Sequence, residues 1–215
     1  MSGVLEEVVE GFEPSPELVS VMAGTKPAMV LGLDIGTSGV RATLFDDKGF
    51  ELPNATVRTT RAFRDTSSFS VIDAETLVDL VVDTIDLLLI QPVSCDQVEL
   101  ISISCFWHSL MGVDSHGLPT TPVFGWAETR AASTARELRE RFDERETHLR
   151  TGCRFHPSYW PAKLSWLRTE QPETFQKTSQ WLSFSEYLTL QLFGQTSISV
   201  SMASGTGFLN QRSCE

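Results

Sequence analysis

At 215 residues, with 41% hydrophobic and 21% charged side chains, the chain has the size and balance of a soluble globular protein with a useful core, as one large domain or two small ones. A formal net charge of −11 and a pI near 4.8 count against a nucleic acid partner, because phosphate contacts need clustered Lys and Arg. The longest apolar run, residues 77–90, is broken by Asp79, Asp83 and Asp86 at helical spacing, which makes it an amphipathic helix and not a membrane span.

In chain order, residues 1–28 mix Pro, Gly and Glu with little periodicity. They are expected to be a poorly ordered extension, with a short helix around residues 17–22 and no apolar stretch of the secretory kind. The folded body should begin near Met29. Residues 29–33 read as a buried strand, 34–39 as a tight turn, 40–45 as a second strand and 46–49 as the next turn. A third strand follows at residues 52–61, then a loop. Asp73 looks like the cap of a helix over 74–90, which Pro92 ends. Residues 99–105 and 110–113 read as strands, with a turn at Asp114 to Pro119. Residues 129–142 read as a helix rich in Ala, Arg and Glu, and the charged run from Arg130 to Arg150 as a solvated, charge-paired helix face. Further helical pieces are expected at 163–168, 172–178 and 183–193, and a short strand at 198–201. Three successive strands, a helix and then a strand spell a mixed α/β sheet that opens with a meander, flanked by helices. Cys95, Cys105, Cys153 and Cys214 form no C-x-x-C pair and no metal spacing with the four histidines, so reduced thiols in a cytoplasmic protein are expected.

The most chemically useful residues crowd the first turn. Gly36 and Gly39 leave backbone N–H groups open to an anion, and Thr37 and Ser38 add hydroxyls. Arg41 could point back at the same anion. Asp34, at a strand end, suits a hydrated divalent cation, because hard cations prefer carboxylate oxygen. Together these groups could hold the phosphate tail of a metal-bound nucleotide, although the spacing is not that of a Walker A loop. A plain hairpin whose Asp and Ser satisfy turn amides explains the composition equally well.

Four ordered stretches carry a resemblance: LGLDIGTSGVRATLFDDKG, ISISCFWHSLMGVDSHGLPTTPVFGWAETRA, TGCRFHPSYWPAKLSWLR and SFSEYLTLQLFGQ with SVSMASGTGFLN. They resemble, in order, the first phosphate segment, the G-Q-M-H to W-x-D-x-R stretch, the T-G-x-x-x-x-P to K-L-x-W-L stretch and the A-S-x-T-G stretch of the FGGY carbohydrate kinases. The gluconate kinase-like branch is the most similar, with xylulose kinases beside it. The resemblance implies an actin-like ATPase (ribonuclease H-like) fold and a sugar-binding N-terminal domain over residues 29–215. The adenine-binding C-terminal domain and the general-base Asp would lie beyond Glu215, leaving no catalytic base in this chain.

What the resemblance implies for residues follows the matched motifs. ATP would meet Asp34, Gly36, Thr37, Ser38 and Arg41, with Asp34 assisting Mg²⁺ through water. A sugar or sugar acid would be lined by Trp107, His108 and Ser109, by Trp126, Glu128 and Arg130, and by His156, Ser158 and Tyr159. Glu128 stands where relatives carry Asp, and Ser199 where they usually carry Asp. Without the resemblance, Trp107 reads as core packing and His108 as a satisfied structural histidine, and a Pro-braced loop explains residues 156–159 as well as ligand contact does. Lys163, Leu164, Trp166 and Leu167 read as helix start and core, and Gly205 and Gly207 as sites of backbone crowding. The chain alone is expected not to turn over ATP and sugar, and its uncovered interdomain face could form a homodimer. A non-catalytic sugar- or phosphate-binding module is the alternative. A chaperone-type or cytoskeletal ATPase is disfavoured by the Trp107–His108–Ser109 and Trp126–Arg130 segments.

Overall fold

The structure, a computed structural model, describes residues 28–60, 71–91 and 97–214. The expectations for residues 1–27, for the loop after Thr60 with Arg61, and for Pro92 and Cys95 lie outside the described residues.

Alternation decides the first strands. In β1 (Met29–Ile35) the side chains of Leu31, Leu33 and Ile35 are buried on one face, while Asp34 is exposed on the other. β2 (Gly39–Phe45) answers with Val40, Ala42 and Leu44, so a single apolar face spans both strands. The register sets Leu33 against Ala42 and Asp34 against Arg41. β3 (Glu51–Thr60) continues the antiparallel meander on β2. Gly39 is required where the two strands meet, because a Cβ there would lie 2.3 Å from the Thr59 carbonyl oxygen.

A two-residue strand, β4 (Val71–Ile72), leads into α1 (Ala74–Leu89). The Asp73 carboxylate accepts the Thr76 N–H at 2.8 Å and starts this helix, and the bond holds the carboxyl below its usual range. Ala74, Leu77, Val81 and Leu88 form the buried stripe, and Asp79, Asp83 and Asp86 face solvent as expected. Each large apolar side chain buried here stabilises the layer by about 1.5–3 kcal/mol. β5 (Val98–Cys105) then joins the sheet parallel to β1, giving the order β3-β2-β1-β5. The mixed sheet with its opening meander is thus observed.

Beyond the sheet, β6 (Met111–Val113) and β7 (Val123–Phe124) are followed by α2 (Ala132–Arg141), α3 (Glu144–Thr151), α4 (Trp160–Glu170) and α5 (Pro172–Lys177). β8 (Gln180–Leu182), α6 (Phe184–Phe193) and α7 (Val200–Ser204) complete the described chain. β4 pairs with β7 and β6 with β8, both antiparallel. One core lies between the sheet, α1 and α6. A second, around Leu110, Phe124, Leu138, Phe155, Trp160, Trp166 and Leu167, holds the helices together. No helix of the described residues is long and apolar enough to cross a membrane.

Residues 198–201 are not a strand. The Ser199 hydroxyl accepts the Met202 N–H at 3.1 Å and caps α7, so a local hydrogen bond overrides the alternating Ile-Ser-Val-Ser pattern. The helix expected from residue 129 starts at Ala132, and the one expected at 163–168 extends over Trp160–Glu170. Ser183 caps α6 instead of lying inside it, in a reciprocal box with Glu186. The charged helix face expected over residues 130–150 is two helices, broken where Phe142 is extended: Asp143 caps α3 and Gly152, at φ 71°, ends it.

Candidate functional site

Ile35 stands beside Cys105 in the parallel register, and the Phe106 N–H donates to the Ile35 carbonyl at 3.0 Å. The turn after β1 and the segment after β5 therefore leave the carboxyl ends of neighbouring parallel strands side by side. This is where open α/β sheets present ligand sites, at the carboxyl ends of their strands.

The turn is closed from within. The Gly36 N–H donates to the Gly39 carbonyl at 2.9 Å, so this amide is spent on the hairpin. Ser38 is exposed, with Gly36 and Thr37 half-buried beside it. Asp34 and Arg41, opposite each other in the ladder, form an ion pair at 3.1 Å, with side chains 53% and 44% exposed. Such a surface pair contributes at most about 1 kcal/mol and exchanges readily for another partner.

Just past Phe106, Trp107 and His108 join Trp126, His156, Ser158 and Tyr159 in lining an open cavity of about 410 Å³. Trp107 and Trp126 expose about half their surface, and these are the large apolar faces the cavity offers. His108 adopts a left-handed backbone, φ 63°, which turns the chain sharply between the cavity and the core. Its Nδ1 lies 2.8 Å from the Gly205 carbonyl, an oxygen that can only accept, so Nδ1 carries the proton and Nε2 is the acceptor nitrogen. Burial pushes the imidazole below its usual pKa, against the Gly205 hydrogen bond and helped by the charges of Lys163 and His156, so the ring is neutral at pH 7. Its ring meets Tyr159 edge-on at 4.8 Å. The Ser158 hydroxyl donates to the Trp126 carbonyl at 2.6 Å, and its N–H donates to His156 Nδ1 at 3.2 Å.

Three residues expected on this wall stand elsewhere. Ser109 is buried behind it, because the left-handed turn at His108 sends the chain inward. Its hydroxyl accepts the Phe184 N–H at 3.1 Å and its carbonyl the Trp160 indole N–H at 2.9 Å. Glu128 is also buried, and its carboxylate accepts the backbone N–H of Arg130 at 2.8 Å and the Nε–H at 2.9 Å, with Nη2 on the second oxygen. Burial alone would raise the Glu128 pKa, but the Arg130 bonds outweigh it and hold the carboxyl below the usual range. The Arg130 guanidinium lies over Trp166 at 4.7 Å and Phe124 at 5.4 Å, in the helical core. The match to W-x-D-x-R implied a wall shared with Trp126, but the charges of this Glu–Arg pair face inward.

Lys163 links the site to the core. It is fully buried, and its Nζ donates to the carbonyls of His108 at 2.6 Å and Gly125 at 2.9 Å, with Phe124 at 3.4 Å. Desolvation lowers its pKa to about 7, opposed by Glu128. A lysine in step with Trp160 and Trp166 on one helix was the available signal. The crowding expected at Gly205 and Gly207 is not found: a Cβ on Gly205 would meet His108 Nδ1 at 3.4 Å, an ordinary contact, and what Gly207 needs is its left-handed backbone at φ 87°, beside Pro161 and Tyr159. A larger groove of about 630 Å³, between α2, α3 and α4, includes none of the cavity residues. Among the described residues no three His, Cys, Asp or Glu side chains gather as a metal cluster.

Residues 29–215 match the FGGY family of carbohydrate kinases, N-terminal domain. The chain is 29% identical to the gluconokinase of Bacillus subtilis over 181 residues, 84% of this chain and 35% of that protein. It is 24% identical to the xylulose kinase of Staphylococcus xylosus over 179 residues, covering 83% and 37%. The gluconate kinase structure from Lactobacillus acidophilus superposes with a TM-score of 0.77 at 27% identity, over 86% of this chain and 37% of that one. The ligand-bound xylulose kinase from the same organism gives 0.79 at 27% identity, over 87% and 38%. The chain thus spans little more than a third of these relatives, and its fold is the actin-like ATPase fold they share.

Proposed function

Since this chain belongs to the FGGY family of carbohydrate kinases, we propose that residues 29–215 are the carbohydrate-holding part of a cytoplasmic ATP-dependent kinase acting on a hydroxyl of a gluconate- or xylulose-like substrate. The observation that carries this reading is that the Gly36–Thr37–Ser38 turn and the segment leading into the aromatic cavity leave the carboxyl ends of neighbouring strands. Trp107 and Trp126 offer flat faces to the C–H side of a sugar. His108 Nε2 accepts a hydrogen bond from a sugar hydroxyl, and the Nδ1–H bond to Gly205 fixes the ring that presents it. The terminal phosphates of ATP lie at Gly36, Thr37 and Ser38, with Arg41 alongside.

Asp34 fits a role in holding Mg²⁺, since this ion keeps most of its waters and takes one or two carboxylates beside phosphate oxygen. When bound, the ion neutralises phosphate charge, which together with positioning is most of what phosphoryl transfer requires. Arg41 can leave Asp34 for a phosphate at little cost, because the pair is exposed.

A second reading, a non-catalytic sugar- or phosphate-binding module, is favoured by one observation. Among the described residues, no carboxylate lines the cavity to take the proton of a sugar hydroxyl. Both readings hold that the isolated chain binds without turnover, and self-association through uncovered faces belongs to the same proposal. Calorimetric titration with gluconate and xylulose tests binding: saturation is expected for one of them, weakened about tenfold in Trp107→Ala, the cost of one aromatic contact. Absence of saturation with both, or an unchanged affinity in the variant, counts against the cavity. Sugar-dependent ADP release by the chain alone, at an ordinary kinase rate, would overturn the inactive-fragment reading.

A further inference from the structure

We propose that Lys163 is the positioning residue of the cavity, its buried ammonium tying together the two loops that carry His108 and Trp126. The inference rests on the carbohydrate-holding reading of that cavity. An ammonium has three N–H donors and no acceptor, and here three carbonyl oxygens converge on one nitrogen, from His108 at 2.6 Å, Gly125 at 2.9 Å and Phe124 at 3.4 Å. The His108 carbonyl lies beyond β5, Phe124 ends β7 and Gly125 follows it, so the contacts add a side-chain tie to two segments that the Leu110–Phe124 backbone pair already joins.

The consequences for the cavity are specific. His108 sits at φ 63°, a costly conformation for a side chain with Cβ, and it persists because its surroundings over-determine it. Lys163 grips its carbonyl and Gly205 its ring, so both ends of the residue are held. Gly125 precedes Trp126, whose own carbonyl is taken by the Ser158 hydroxyl, so two consecutive carbonyls fix the loop beneath that indole. Lys163 itself lines no part of the cavity. The Leu110–Phe124 pair joins the two segments on the core side, and Lys163 holds the residues nearer the cavity without touching a carbohydrate bound there.

A lysine placed only to fill core volume would be replaceable by methionine without any effect at the cavity. The charged groups around it are Glu128, which faces Lys163 and favours its protonated form, and Arg130, which ties up Glu128. His108 and, through it, His156 stand on the cavity side.

The test is Lys163→Met in the 215-residue chain, read in two ways. Calorimetry with gluconate and xylulose is expected to show affinity reduced about tenfold or more, the scale of a lost charged hydrogen bond. Nuclear magnetic resonance of the imidazole and indole groups is expected to show the His108 and Trp126 signals displaced, while those of His116 and Trp181 stay in place. A folded variant with unchanged affinity and unchanged His108 and Trp126 signals overturns the proposal. If the variant does not fold, the wild-type chain is titrated from pH 6.5 to 9 with the Lys163 Nζ signal followed directly. The His108 and Trp126 signals are expected to move with the same midpoint, and signals that ignore the Lys163 midpoint overturn the proposal. If wild type binds neither sugar, the functional reading fails, while the resonance data still decide whether Lys163 positions the two loops.

Discussion

The turn after β1 and the aromatic cavity beyond β5 follow neighbouring strand ends but are held in opposite ways. The turn is a local object: Gly36 bonds to Gly39, and Asp34 pairs with Arg41 seven residues on, in solvent. The cavity is assembled from afar: His108 meets Gly205 across 97 positions, Lys163 meets His108 across 55, and Ser158 meets Trp126 across 32. The group that would receive a mobile phosphate tail is exposed and free to change partners. The group that would hold a rigid ring is braced by buried bonds. Positioning of this second kind is what catalysis by orientation demands.

The sharpest way to break the contrast is to damage the scaffold beneath the turn. Gly39→Val places side-chain atoms where even a Cβ would be 2.3 Å from the Thr59 oxygen, and should cost about 3 kcal/mol by denaturant unfolding. A neutral outcome would mean that β2 and β3 separate more easily than their register implies.

Glu128→Gln comes next. It leaves the Arg130 guanidinium over Trp166 without its carboxylate, and should cost about 2 kcal/mol, less than a fully buried pair because the Arg130 side chain keeps 29% exposure. The acid limb of stability gives an independent check. The Glu128 carboxyl is held below its usual range in the fold, so its contribution is present above the unfolded value near 4.3 and is lost as pH falls through the folded value. The variant should therefore lose less stability between about pH 5 and pH 3 than wild type. An equal acid loss in both chains would contradict the assigned pairing.

The smallest effect is expected at Asp34. Asp34→Asn removes an exposed ion pair and should change stability by less than about 0.5 kcal/mol. It should nonetheless weaken binding of Mg²⁺–ATP, measured by calorimetry, while leaving sugar binding intact. Loss of sugar affinity in this variant would mean that the turn and the cavity are not separable in the way their construction suggests.

The same contrast explains what could be read in the chain. β1, β2 and β3 were legible because period-two alternation is a local signal, and α1 because Asp73 caps a stripe of apolar residues. Trp107, His108, Trp126, His156, Ser158 and Tyr159 were named as wall residues from motifs, and the fold does gather all six. Ser109, Glu128 and Arg130 were named with them, since spacing along a chain does not reveal a left-handed turn at His108 or an inward-facing ion pair. Lys163 was read only as core, because its role consists of contacts with carbonyls 38 and 55 positions away. The strand expected at residues 198–201 failed for a local reason, the Ser199 cap.

The most direct measurement is a crystal structure of this chain soaked with gluconate or xylulose together with Mg²⁺ and ADP. The expected result is a sugar stacked between Trp107 and Trp126, with phosphate oxygens against residues 36–38. Sugar found instead in the groove between α2, α3 and α4, with Trp107 and His108 untouched, would contradict the central claim that neighbouring strand ends lead into the two halves of the site.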